Sequence, residues 1–205
     1  MLKRIINKVK SYLLPINISG NNNSYVCHSK KGRGFKINLI GDNNRISIGK
    51  NCLLTNTSFE IVGNNIQVVI EDNVRFIGPC KVIMRDNSTL IIKDNAGIRG
   101  VEFNLDQAKI EVGELCMFSH GIVLRNHDSH KIMSADTRTI LNAPRDIVLG
   151  RHVWVALDAT ILKGCNIGDD SIIGFGSIVT KSCKPGSIMA GAPAAVVKEG
   201  ITWDY

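Results

Sequence analysis

Between residues 149 and 183 the apolar positions recur every six residues. Leu149, Val155, Ile161, Ile167, Ile173 and Val179 set the register. Four residues after each stands a small or β-branched one: Val153, Ala159, Cys165, Ser171, Ser177 and Cys183. Gly150, Ala156, Gly168 and Gly174 directly follow the aliphatic residue in four of the six units. A period of six matches neither the 3.6 of a helix nor the 2 of a half-buried strand. It matches a solenoid in which short strands alternate with corners, three units closing a triangular coil of about 18 residues. The aliphatic side chain then points inward and the small residue fits the corner. Coils stack at about 4.8 Å, each pairing with its neighbours alone.

Upstream the pattern is the same with a longer step. Ile48, Ile70, Ile92 and Val112 each open a turn-like run ending in Cys52, Val74, Ala96 and Cys116, at spacings of 22, 22 and 20 residues. Small bulges at the corners are expected to absorb the excess over 18. From Val112 to Leu149 the step is 37, which two short coils almost account for. Residues 125–145, however, lack the aliphatic period and are polar, so an extruded loop is expected there. At the start of the chain, Leu2, Ile5, Ile6, Val9, Tyr12 and Leu13 share one side of a helix over residues 2–14, which Pro15 ends. Its expected use is to cap the first coil, with contact to an anionic membrane surface or a partner chain as the alternatives. The expected organisation is an all-β, left-handed parallel β-helix over residues 17–183. It carries an N-terminal cap at 1–16, the loop at about 125–145 and a C-terminal tail at 184–205.

Composition agrees with a narrow layered core: 44% of residues are hydrophobic but only 5% aromatic, and 19 glycines supply turns. The net charge of +7 fits an anionic polymer or an acidic cofactor. No basic block is interleaved with aromatics, which argues against nucleic acid. Six cysteines occur without a CxxC pair, and five stand at repeat positions, so they read as small buried hydrophobes in a reducing compartment. With no apolar run long enough for export or a membrane span, the expected location is the cytoplasm.

Three motifs carry a resemblance: His152-Val153-Trp154, the run Ile173 to Lys181, and Ala190-Gly191-Ala192-Pro193-Ala194-Ala195-Val196-Val197-Lys198. They resemble the closing motifs of the hexapeptide-repeat acyltransferases. With the upstream coils and the loop Arg125-Asn126-His127-Asp128-Ser129-His130 included, residues 30–203 look most like bacterial capsular polysaccharide and polysialic acid O-acetyltransferases. The resemblance implies acetyl-CoA as acetyl donor, a sugar hydroxyl in a capsular or surface polysaccharide as acceptor, and a homotrimer with the site between subunits. It sets Ala156, Leu157, Gly174, Phe175, Thr180, Lys181, Pro193 and Lys198 along the CoA arm, and Trp154 at a functional tryptophan. Lys181 and Lys198 would meet the CoA phosphates as point charges. No metal is implied.

Moving acetyl from a thioester to a weakly acidic hydroxyl needs a general base with a pKa near 7, which points to histidine. Of His28, His120, His127, His130 and His152, two lie in the aperiodic loop, where function commonly resides. The family's Asp-x-His turn matches Asp128-Ser129-His130, with Lys131 in place of its usual proline. His130 is therefore the expected base and His127 its rival. Asp128 is of the type that orients an imidazole or caps a turn. An acidic glycan, such as one containing sialic acid, suits the charge; an amino acid, an antibiotic or a free sugar is the alternative acceptor. Two other classes remain: a γ-carbonic-anhydrase-like metal enzyme using His120, His127 and His130, and a non-catalytic β-helix binding protein.

Overall fold

The computed structural model describes residues 16–30 and 32–204, and the helix expected over residues 2–14 lies outside the described residues. Among the described residues the structure is all-β, a left-handed parallel β-helix. Three sheets form its faces. The first holds eight strands, from Ile16–Ser19 through Lys36–Ile40, Thr57–Val62, Cys80–Met84, Val101–Leu105, Ile122–Arg125 and Thr160–Leu162 to Ile178–Val179. The second holds seven, from Ser24–Cys27 to Asn166–Ile167. The third begins at Leu53–Leu54 and climbs through Arg75–Ile77, Gly97–Arg99, Met117–Phe118, Trp154–Val155 and Ile172–Ile173 to Ile188–Gly191. Every pairing between these strands is parallel except the last, where Ala194–Lys198 turns back antiparallel on Ile188–Gly191. No described helix is long and apolar enough to cross a membrane.

The six-residue register is realised. Leu149, Val155, Ile161, Ile167, Ile173 and Val179 are all buried, as are Val153, Ala159, Cys165, Ser171 and Ser177. Upstream, Ile48, Ile70, Ile92 and Val112 continue into Leu149 and Ile167 as one parallel ladder. Val112 therefore pairs directly with Leu149, and the 37-residue step is one coil plus a loop, not two coils. Nor do bulges absorb the extra residues of the lower coils. The strands of the first face are longer there: Lys36–Ile40 has 5 residues and Thr57–Val62 has 6, against 3 in Thr160–Leu162 and 2 in Ile178–Val179 above. The wider section is filled by phenylalanines. Phe35, Phe59, Phe76, Phe103 and Phe118 climb between the first and third faces with centroids 5.9 to 6.5 Å apart.

Corners take the left-handed conformation that Asn tolerates better than most residues. At the corner between the second and third faces, Asn51, Asn73 and Asn95 have φ of 55°, 59° and 62°. Asn51 Nδ2 donates to Asn73 Oδ1 at 3.3 Å. The cysteines are free; Cys52, Cys80, Cys116 and Cys165 are buried. Burial pushes the Cys116 thiol up to about 12 and the Cys165 thiol up to about 11, which removes the thiolate that nucleophilic chemistry needs.

Candidate active site

The aperiodic segment leaves the first face at Arg125 and rejoins the second at Ile147, so it projects from the corner between these faces. Its root is tied to the coil. Asp128 Oδ2 accepts from Asn142 Nδ2 at 2.8 Å and forms an ion pair with Lys163. Lys163 Nζ also donates to the Asn142 carbonyl at 2.8 Å. The Lys163 ammonium, helped by the Asn142 amide, holds the Asp128 carboxyl below the usual carboxylate range. Asp128 thus clamps the loop to the coil, its carboxylate paired with Lys163 and Asn142. Further out, Met133 and Ile140 form an antiparallel bridge. Arg145 lies across Gly164, where an added Cβ would come within 2.8 Å of the guanidinium carbon.

The two loop histidines differ. His127 is half-buried at the root; Arg125 Nε donates to its carbonyl at 3.1 Å, and its Nδ1 is buried without a hydrogen-bond partner. It lines a cleft of about 460 Å³ with Arg85, Asn104, Arg125 and Ser129. His130 is exposed, and its backbone is fixed where the carbonyl accepts from Asn142 Nδ2 at 2.8 Å. His130 thus presents an exposed imidazole on an anchored backbone, whereas His127 faces a cleft from the loop's root.

Trp154 starts a two-residue strand on the third face, 39% exposed, between Met117 and Ile172. In a triangular coil the third face lies opposite the corner that carries the loop. A single chain therefore holds His130 and Trp154 on opposite sides.

The residues set along the CoA arm divide in the same way. Ala156, Leu157, Gly174, Phe175 and Pro193 gather at the corner between the third and first faces. There Ala156 N–H donates to the Ile173 carbonyl at 2.9 Å and Gly174 N–H to the Met189 carbonyl at 2.8 Å, stacking consecutive coils. The edge is kept low by small residues: a Cβ on Gly174 would stand 3.2 Å from that of Ala190. Phe175, 70% exposed, and Leu157, 39% exposed, offer apolar surface beside it. Pro193 follows a cis peptide bond. A narrow edge of small residues flanked by apolar ones fits an extended, amide-bearing arm. Thr180 and Lys181 stand instead at the loop's corner, where Thr180 lines a cleft with Arg125, Asp128, Arg145, Leu162 and Lys163. Lys198 ends the antiparallel strand opposite Ile188, exposed.

Among the described residues no three His, Cys, Asp or Glu side chains converge as a metal site would require, so His120, His127 and His130 form no triad. One cluster escaped the sequence reading. His152 Nδ1 lies 2.8 Å from Asp170 Oδ1, and the His152 ring stacks on Trp203 at 4.0 Å. Its signal was present: His152 stands three residues after Leu149, the corner position that Asn51, Asn73 and Asn95 hold in the lower coils.

The comparisons with known proteins agree with this fold. No family model matches the chain. The polysialic acid O-acetyltransferase of Neisseria meningitidis is 33% identical over 144 residues, 70% of this chain and 67% of that protein. The crystal structure of the polysialic acid O-acetyltransferase OatWY superposes with a TM-score of 0.84 at 31% identity, covering 92% of each chain. That of the polySia-specific acetyltransferase NeuO gives 0.67 at 27% identity, covering 93% of this chain and 82% of the other.

Proposed function

The chain belongs to the hexapeptide-repeat O-acetyltransferases, and from that premise we propose that it transfers acetyl from acetyl-CoA to a hydroxyl of an acidic capsular polysaccharide, with His130 as general base. The observation that carries this reading is the pairing of an anchored loop presenting an exposed His130 with a separate edge of small residues at Ala156 and Gly174. The acceptor class rests on the two relatives that act on polysialic acid, by their names, and on the net charge of +7.

Bound acetyl-CoA supplies the activated acetyl group. Ala156, Leu157, Gly174, Phe175 and Pro193 line its arm, while Lys198, and Lys181 from the loop's corner of a neighbouring copy, meet its phosphates. His130 takes the proton of the attacking hydroxyl on its imidazole and holds it for the leaving sulfur, so one group serves as base and then acid. Trp154 walls the reacting groups from water, and a backbone N–H steadies the developing oxyanion. Because one chain holds His130 and Trp154 on opposite sides, the site is completed between copies, as a homotrimer would do: the loop of one copy reaches the third face of the next. Its place is the cytoplasm, where six free thiols stay reduced.

The test is an acceptor screen that reads free thiol release from acetyl-CoA with polysialic acid, uronic-acid glycans, neutral glycans and small-molecule acceptors, for wild type, His130→Ala and His127→Ala. Turnover should be highest on the acidic glycans. His130→Ala should lose about 10²- to 10⁴-fold in kcat, the usual contribution of a general base, while keeping its melting temperature. His127→Ala should lose far less. A dead His127→Ala beside an active His130→Ala reverses the assignment, and equal turnover on neutral glycans at low salt removes the acidic acceptor.

A further inference from the structure

The chain has two tryptophans, and the fold sets them side by side. Trp154 starts a strand of only two residues and is 39% exposed, so its indole stands largely off the sheet. Trp203 comes from the end of the chain. Beyond Lys198 the backbone crosses back over the corner between the second and third faces, and Ile201 N–H donates to the Gly186 carbonyl at 3.0 Å. Trp203 Nε1 then donates to the His152 carbonyl at 2.8 Å. Its ring lies on the His152 imidazole at 4.0 Å with 10° between the planes. It meets Trp154 at 6.0 Å and 47°. The imidazole beneath is held in turn: His152 Nδ1 pairs with Asp170 Oδ1 at 2.8 Å, and Thr202 Oγ1 donates to the same oxygen at 3.3 Å.

His152 adopts the left-handed corner conformation, φ 56°, at the position Asn occupies in the lower coils. Asparagine would satisfy that backbone equally. What an imidazole adds is a flat face on which an indole can lie. Tilted and stacked aromatic contacts are specific in geometry, so the stack fixes Trp203 and Trp203 fixes its neighbour.

We infer that the C-terminal segment is part of the active site and that Trp203, seated on His152, is the positioning residue that holds the Trp154 indole in its working orientation. This rests on the reading that Trp154 borders the reacting groups. Misplacement of a group by about 1 Å can cost roughly 10²-fold in rate, so an unbraced Trp154 should register in kcat. The donor edge at Ala156, Leu157 and Gly174 stands at another corner and should be untouched.

The experiment compares W203A, W203F, H152N and W154A as full-length chains, with acetyl-CoA and polysialic acid. It reads kcat, both KM values, melting temperature and, in W203A and W203F where Trp154 is the one remaining tryptophan, acrylamide quenching. W203A should lose about 10- to 100-fold in kcat, with KM for acetyl-CoA unchanged and Trp154 more readily quenched. W203F, which keeps a ring on His152, should recover most of the rate; H152N, which keeps the corner but removes the stack, should fall between them. Should W203A fail to fold, W203F and H152N carry the test through the same readouts. If W154A is inactive while W203A and H152N keep wild-type kcat, Trp203 does not position Trp154 and the inference is wrong, although the proposed function stands. A lowered melting temperature with unchanged kcat is also against it, for it makes the segment only a structural strap. If W154A is fully active, the role given to Trp154 fails and takes this inference with it.

Discussion

The lower coils, up to Phe118, and the upper coils, from Ile147, are the same architecture at two diameters. Below, a coil takes 20 to 22 residues and the section is wide enough for a climbing column of phenylalanines. Above, Leu149 to Ile167 is 18 residues, and the core is aliphatic or smaller: Leu149, Val155, Ile161, Ile173 and Val179. Interiors pack at nearly constant density, so perimeter and side-chain size must change together. The corners differ as well. Below, asparagine amides join coil to coil, as in the pairs Asn22–Asn43 at 2.8 Å and Asn65–Asn87 at 3.1 Å. Above, His152 and Asp170 take the corner places that Asn51, Asn73 and Asn95 hold below. Strict repetition marks the part that only has to stand. Departures from it coincide with the residues proposed for the site: His127, His130, Trp154 and the edge at Ala156 and Gly174 all lie beyond position 125.

If diameter and filling are matched, a side chain from one region should be wrong in the other. Phe103→Ala in the wide coils removes the ring between Phe76 and Phe118, and the cavity should cost about 3–5 kcal/mol in chemical denaturation. The reverse exchange, Ile161→Phe in the narrow coils, overpacks a fully buried site and should cost about 1–3 kcal/mol. Equal, small losses from both would mean that the two diameters are not set by their cores. The corners provide a finer comparison. Asn73→Ala places an ordinary residue at φ 59° and removes the acceptor for Asn51, which should cost about 1–2 kcal/mol, whereas Asn73→Gly, free of the Cβ clash, should cost clearly less. If the two substitutions cost the same, the left-handed corner is not what the asparagines are there for.

Most of the coil was legible in the sequence because its constraint is periodic. Each inward position repeats the same burial, so Leu149, Val155, Ile161, Ile167, Ile173 and Val179 identify themselves. The loop was legible by contrast, as the stretch where that period fails. What stayed hidden was spatial. Six residues per side says nothing of strand length, so the period alone does not distinguish a wide coil from a narrow one with bulges, and it does not show that the phenylalanines form a column. The resemblance sets Thr180 and Lys181 along one arm with Gly174 and Phe175, their near neighbours in the chain. A two-residue strand, Ile178–Val179, carries them to the next corner. The stack of Trp203 on His152 joins residues 51 positions apart, a contact that no local spacing announces.

The smallest effect expected concerns Lys181 and Lys198, the basic pair that distinguishes the upper coils. Both are exposed, and they stand at different places on the prism. If each meets a CoA phosphate, it does so as a solvated point charge, contributing at most about 1 kcal/mol. The double variant Lys181→Ala/Lys198→Ala should then raise the Kd for CoA by roughly 3- to 30-fold, as calorimetry would read it. A loss of net charge alone would also weaken binding, so the variant needs a partner from the lower coils. Lys36→Ala/Lys50→Ala removes the same two charges from exposed positions far down the solenoid. At about 0.15 M salt the screening length is about 8 Å, so charges at that remove should leave Kd unchanged. Raising the salt should bring wild type towards the upper-coil variant and leave the lower-coil variant parallel to wild type. If the two double variants weaken CoA alike, the field of the whole chain attracts the donor and neither lysine touches it.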